Sequence, residues 1–329
     1  MQQAHCRKDH GCPLSQAGTA SSAKHVVSVS IGSSKRATHV ETDLLGTPVL
    51  LERRGTDGDV KRAAALIREL DGKVDAIGLG GLDIYLMAGG RRFEIREGRW
   101  LADQAKLTPV VCGAGLKDTL ERMVVDELDS LLNWRDRRVL MVLAVDRFGM
   151  AEALHQRGAD VIYGDVIFAL GLPVPLRNAA TLAYLVRLLA PVLLKLPIGW
   201  LYPTGKRQDA GEVARGLRYF DWAEVIAGDF HVIRRYAPTQ LRGKVILTNT
   251  TTAEDVDTLR RRGVKTLITT TPRFGGRSLS TNLLEAAFVA VSGKHPLSAP
   301  DYRRLIRESG IKPDVLALNP EAARVEGVA

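Results

Sequence analysis

Cysteine is scarce in this chain: three residues among 329, at positions 6, 12 and 112. Three thiols cannot build a disulfide framework, so the fold must rest on apolar cores, and a reducing cytoplasmic setting fits best. Aromatic residues reach only 5% and do not alternate with basic ones. That argues against a stacking platform for single-stranded nucleic acid, and neither a helix-turn-helix nor a zinc-finger signature occurs. Uncharged apolar runs are short. The most apolar stretch, Thr181–Tyr202, is interrupted by Arg187, Pro191, Lys195 and Pro197, whereas a membrane span needs about 20 residues largely free of charge. Residues 1–24 lack the apolar centre of a secretory signal and read as a disordered tail. His5, Cys6, His10 and Cys12 in that tail follow no established zinc spacing. The chain also lacks H-E-x-x-H, metal-spaced cysteine pairs and G-x-S-x-G, so no metal is expected.

What is present is ordinary globular material: 45% apolar and 25% charged residues, with a net charge of +9. The excess positive charge is scattered over Arg91/Arg92, Lys206/Arg207, Arg234/Arg235 and Arg260–Arg262. It reads as solvated surface rather than a nucleic-acid footprint. The length suggests about two domains. Alternating strand and helix patterns run throughout. His25–Ile31 alternates apolar and polar, Val60–Leu70 has helical spacing, and Lys73–Leu79 returns as a strand ending in two glycines. Ile84–Ile95 reads as a hairpin turning at Gly89-Gly90. Leu101–Leu107 reads as a short helix, Pro109–Cys112 as a strand, and Leu116–Leu132 as an amphipathic helix. The rhythm restarts at Val139–Val145, a continuous apolar strand of the kind covered on both faces. It continues through Asp160–Tyr163, helix Asn178–Ala190, strand Pro191–Ile198, Lys244–Thr248 and Val264–Thr269. The fold class expected is α/β: two Rossmann-like domains with mostly parallel sheets and right-handed β-α-β crossovers. The boundaries expected are a tail at 1–24, a substrate domain at 24–137, a cofactor domain at 138–282, and C-terminal helices at 283–329 bracing both.

In open α/β sheets ligands lie beyond the carboxyl ends of the strands, so the residues there are the candidates. After Val139–Val145 comes Asp146-Arg147-Phe148-Gly149, where a dinucleotide turn would fall. Only the last of its three glycines is present, and Asp146 stands where backbone usually approaches a diphosphate. Asp165, after the next strand, stands where a carboxylate would bind ribose hydroxyls and favour NAD, with NADP the alternative. Asn249, Thr250 and Thr270 end two further strands in a polar rim suited to the nicotinamide ribose of the same cofactor or to a polyhydroxy acid. Gly113 and Gly115 open a helix and offer backbone N–H groups to an anion. Lys117 beside them, with Asp118 or Asp83 as partner, is the candidate acid/base group. Tyr202, Lys206 and His231 complete the substrate-binding candidates. Cys112 reads as buried filler, with a nucleophile as its alternative.

The segments VVSVSIGSSKR, GTDGDVKRAAALIRELDGKVDAIGLGGLD, GAGLKDTLER, LYPTGKRQ, AGDFHVIRRY, TNTTTAEDV and TTTPRFGGRSLSTNLLEA together resemble a bacterial group labelled quinate 5-dehydrogenase, distantly similar to shikimate and quinate dehydrogenases. The likeness spans about residues 25–295. It implies NAD(P)-dependent oxidation of an alicyclic hydroxy acid by a two-domain enzyme. The leading expectation is therefore a cytoplasmic NAD(P)-dependent oxidoreductase acting on a small hydroxy acid, which could pair as a homodimer. The alternative is a non-redox α/β binding protein or enzyme recognising a sugar acid or nucleotide-like ligand, because the cofactor turn lacks two glycines and fold alone does not set function.

Overall fold

The computed structural model describes residues 23–193, 216–274 and 277–320. Two separate sheets carry the α/β architecture expected from the sequence. The first is built from β1 (Lys24–Ser30), β2 (Thr38–Leu44), β3 (Thr47–Gly55), β4 (Ala76–Gly80) and, beyond the hairpin β5 (Tyr85–Ala88) and β6 (Arg91–Glu94), β7 (Val110–Val111). Its order is β2-β3-β1-β4-β7, parallel except for β2. Period-two burial explains how it is covered. Val27 and Val29 face α1 (Val60–Leu70), joining Ala63, Ala64 and Ile67. Val26, Val49 and Leu51 point the other way. The helix Leu101–Leu107 expected from the sequence instead forms earlier, as α2 (Arg96–Ala102).

The long helix α3 (Ala114–Leu132) then leads to the second sheet. Its strands are β8 (Arg138–Met141), β9 (Asp160–Tyr163), β10 (Val225–Ala227), β11 (Val245–Thr248) and β12 (Thr266–Thr269), all parallel. Between them come α4 (Phe148–Gln156), α5 (Asp165–Phe168), α6 (Ala179–Leu193), α7 (Leu217–Trp222), α8 (Phe230–Tyr236) and α9 (Ala253–Arg261). Val139 and Met141 join one apolar cluster, Leu140 and Val142 the opposite one. This strand is covered on both faces, as its unbroken apolar run implies. The expected strand Pro191–Ile198 does not begin at Pro191. Helix α6 continues to Leu193, and the rest of that segment lies outside the described residues.

After β12 and a short hairpin, β13 (Arg273–Phe274) and β14 (Arg277–Ser278), the chain goes back to the first sheet. There α10 (Thr281–Ser292) packs Leu283, Ala286, Ala287 and Ala290 on Val26, Val49 and Leu51. Then α11 (Ala299–Glu308) packs on α3, and β15 (Asp314–Ala317) adds an antiparallel edge strand beside β12. The C-terminal stretch is thus one helix on each neighbour and a strand, rather than helices alone. The second sheet reads β15-β12-β11-β10-β8-β9. Its strand order reverses between β8 and β10, the position where open α/β sheets offer a ligand crevice.

Candidate functional site

Lys117, in the first turn of α3, stands between the two sheets. Its Nζ donates to Asp83 Oδ2 at 3.1 Å and to Asp146 Oδ1 at 2.7 Å. Asp83 follows β4 of the first sheet and Asp146 follows β8 of the second, so one ammonium ties the carboxyl ends of both. The three side chains are only 11%, 23% and 15% exposed respectively. Burial opposes the charge on Lys117, but Asp146 and Asp83 outweigh it and hold the ammonium above its ordinary pKa. Burial pushes Asp83 up to about 6 against the pull of Lys117. A lysine held charged in this way serves as a fixed donor and counter-charge, and is a poor proton shuttle.

A second polar cluster adjoins the first through consecutive residues. Arg147, next to Asp146, is buried and pairs with Glu121 of α3, one turn beyond Lys117. Its other edge meets Asp229 at 3.3 Å. Asp229 caps α8, accepting the His231 N–H at 2.8 Å, and accepts Asn249 Nδ2 at 2.9 Å. Burial alone would raise Asp229. The charges of His231 and Arg147 and the Asn249 hydrogen bond win and bring it to about 2. Burial also pushes Glu121 up to about 7, with Arg147 opposing. Asp229 and Asn249 end β10 and β11, while Asp146 and Arg147 follow β8, so this cluster sits at the reversal of strand order. Thr270, beyond β12, is fully buried, and its hydroxyl finds no partner among the described residues. Thr250 is half-buried in the same group of turns.

Two turns singled out as anion cradles are filled by the chain's own carboxylates. Gly113 adopts a left-handed φ of +88°, and a Cβ there would meet the Asn282 backbone at 2.6 Å. Its N–H donates to the buried Glu285, which also accepts the Tyr302 hydroxyl. Burial pushes Glu285 up to about 6. Gly115 lets Tyr302 and Tyr85 close in, since a Cβ would lie 2.9 Å and 3.0 Å from their hydroxyls. After β8, Asp165 accepts the backbone N–H groups of Ala144 at 3.1 Å and Val145 at 2.9 Å.

That geometry overturns the cofactor assignment. The amides that would cradle a diphosphate already bind Asp165, which therefore holds the turn rather than a ribose. Asp146 faces the crevice and is paired with Lys117. Arg147 is paired through its two terminal nitrogens with Glu121 and Asp229, and Phe148 is buried in the core. Gly149 serves helix packing: a Cβ there would stand 2.5 Å from the Asp118 carbonyl oxygen of α3. The Asn249 side chain is held by Asp229 and the Phe230 N–H, and Thr270 by its own N–H donating to the Thr248 carbonyl at 2.9 Å. Asp118 turns away from Lys117 toward Arg122, at 3.2 Å. The Cys112 thiol is buried and pushed up to about 12 by that burial, which keeps it neutral. Tyr202 and Lys206 lie outside the described residues, as does the His/Cys tail. Among the described residues no group of three or more potential ligands is placed to hold a metal, and no helix is long and apolar enough to cross a membrane.

Glu121 and Glu285 were not anticipated. Each is a lone carboxylate at a buried position of a mostly apolar helical stripe. Glu121 lies four residues after Lys117, and Glu285 sits within Leu283–Val289. That mismatch is the signal each left in the sequence.

The family model described as Domain of unknown function (DUF8754) matches residues 115–318. The chain belongs to that family. A second model, Domain of unknown function (DUF8753), matches residues 25–112, so the two matches meet at the start of α3. The search of curated proteins returned no match. Solved structures with loosely similar shape include the arabinose-binding protein AraP of Geobacillus stearothermophilus, at 10% identity and TM-score 0.38, covering 90% of this chain and 97% of that one. A sugar ABC transport substrate-binding protein of Bordetella parapertussis 12822 has 11% identity and TM-score 0.37, covering 92% of each. A periplasmic solute-binding protein of Actinobacillus succinogenes 130z with bound D-allose has 10% identity and TM-score 0.37, covering 90% and 98%. Likenesses this remote carry no argument about ligand. Neither family model is described as a dehydrogenase, and none of these structures is named as one. The resemblance to quinate 5-dehydrogenases is not upheld, and the NAD and oxidoreductase assignments fall with it.

Proposed function

We propose that this DUF8754 protein is a non-redox α/β protein that recognises a small polar ligand, of sugar-acid or nucleotide-like character, in the seam around Lys117. The observation that carries the reading is the sharing of one buried ammonium between Asp83 and Asp146, each at the carboxyl end of a different sheet. Carboxylates accept from hydroxyls and an ammonium donates to them, so the alternating set Asp83–Lys117–Asp146 suits a ligand rich in hydroxyl groups. Arg147 and Asp229 extend the same alternation along the second sheet.

The seam is closed as it stands. The cleft bounded by Met87, Lys117, Asp146 and Arg147 has about 10 Å³ of free space, roughly room for one water. Entry therefore requires the sheets to part and Lys117 to exchange an ion pair for ligand hydrogen bonds. Such an exchange couples ligand binding to interlobe geometry, because only the ligand-bound open form restores partners to all three charges.

Isothermal titration with D-gluconate, D-galacturonate and AMP tests the reading. At least one probe should saturate below about 10 mM, and Asp146→Asn should weaken it about tenfold or more. Absence of saturation by all three, or affinity indifferent to Asp146→Asn, would remove the seam as a ligand site.

A further inference from the structure

A second cavity, of about 680 Å³, opens on the first sheet between α1 and the β2–β3 hairpin. Its origin is topological. β1 reaches β3 through the strand β2 rather than through a helix, so α1 leaves the outer half of that sheet face bare. Register shows which side chains look into the gap. Glu52 and Arg54 pair with Val27 and Val29 of β1, whose side chains lie under α1. Both therefore project to the α1 side. On α1, Arg62, Leu66 and Glu69 form one flank by their spacing, while Ala63, Ala64, Ile67 and Leu70 are buried against the sheet. All five of these outward-facing residues line the cavity.

Acidic and basic side chains line the trough together. Arg54 ends β3 and Arg62 begins α1, so both guanidiniums lie beside the connecting turn. Glu52 holds Arg54 at two points, accepting Nε at 2.8 Å and Nη2 at 3.1 Å, and the Glu69 charge also acts on Arg54. Glu52 is engaged by His25 as well, at 3.3 Å. Arg62 makes no side-chain hydrogen bond or ion pair among the described residues. The nearby acids of the turn are occupied: Asp57 accepts the Ser34 N–H at 2.7 Å and Asp59 accepts the Arg62 N–H at 2.9 Å. Arg62 thus keeps its donor capacity one turn from the apolar side chain of Leu66, while Arg54 keeps only Nη1 free of Glu52. A concave site of roughly 300–1,000 Å³ with apolar surface and a few convergent polar groups is the usual form of a small-molecule pocket.

We propose that this trough is a second ligand site, separate from the Lys117 seam, which takes a small organic anion with its acidic group on Arg62 and its apolar body on Leu66. Guanidinium forks bind both carboxylates and phosphates in two-point fashion, so the acid group is of either kind, and the assay separates them.

The test is titration of the full chain with phenyl phosphate, benzoate and inorganic phosphate at low salt. Phenyl phosphate or benzoate should saturate, and the better of the two identifies the acid group. It should bind about tenfold tighter than inorganic phosphate, and raising the salt should weaken it. Arg62→Gln, on an exposed helix position, should lower that affinity about tenfold. Leu66→Ser should erase the preference for the aromatic probe, and Asp146→Asn in the seam should leave binding unchanged. Failure of both aromatic probes to saturate by about 20 mM, an Arg62→Gln affinity equal to wild type, or loss of binding in Asp146→Asn would each overturn the proposal.

Discussion

Replacing Lys117 by Met removes the cation shared by the two sheets and leaves Asp83 and Asp146 facing each other. At 3.1 Å and 2.7 Å, each pair is worth about 5–6 kcal/mol of Coulomb attraction at an effective dielectric near 20. Desolvation offsets much of this, and loss of one partner of a buried pair costs about 3–5 kcal/mol. Lys117→Met should therefore lose about that much stability near pH 8. The loss should shrink on acidification. Without the ammonium, Asp83 loses the charge that opposes its burial, and its folded pKa rises further above its unfolded value. The folded state then binds more protons, and stability rises as pH falls through the interval between the two pKa values. Asp83 is already lifted to about 6 in the intact chain, so the wild type gains in the same direction. The variant must gain more. Adding Asp146→Asn to Lys117→Met should return about 1–2 kcal/mol, a coupling expected of groups in contact. Urea unfolding followed by tryptophan fluorescence, to which the fully buried Trp134 contributes, measures all of this. A loss below about 1 kcal/mol near pH 8, or equal losses near pH 5 and pH 8, would refute the reasoning.

Asp165→Ala should destabilise by about 2–4 kcal/mol, since the Ala144 and Val145 amides lose their acceptor; an unchanged urea midpoint contradicts that role. With those amides occupied, wild-type protein titrated with NADH should show no saturable rise in nicotinamide fluorescence at about millimolar concentration, and saturation would reinstate the crevice as a dinucleotide site. Gly149→Ala forces a methyl toward the Asp118 carbonyl and should cost about 1–3 kcal/mol by overpacking α3 against α4. Thermal unfolding gives the answer, and a variant as stable as wild type would show that the two helices separate freely.

The alternation in Val26–Val29, the helical spacing of Val60–Leu70 and the unbroken apolar run before Asp146 were enough to assign an α/β class and to find most strands. These patterns are local, because burial of a strand or helix face repeats every two or 3.6 residues whatever the rest of the chain does. Local signals also pointed to Lys117, Asp83 and Asp146 as residues at strand ends. What each of them meets was not local. Lys117 lies 34 residues from Asp83 and 29 from Asp146, and Gly113 lies 172 from the Glu285 that fills its cradle. A glycine turn that binds an external anion and one that binds the chain's own carboxylate look alike in sequence. The path of α10 back onto the first sheet, and the packing of α5 under β8, decided which it was. The sequence by itself determined the periodic elements and the residue types at their ends. Only the tertiary structure decided that Asp165 and Glu285 are the anions in those turns, because folding supplies a neighbouring carboxylate at an effective concentration that a free ligand must outcompete.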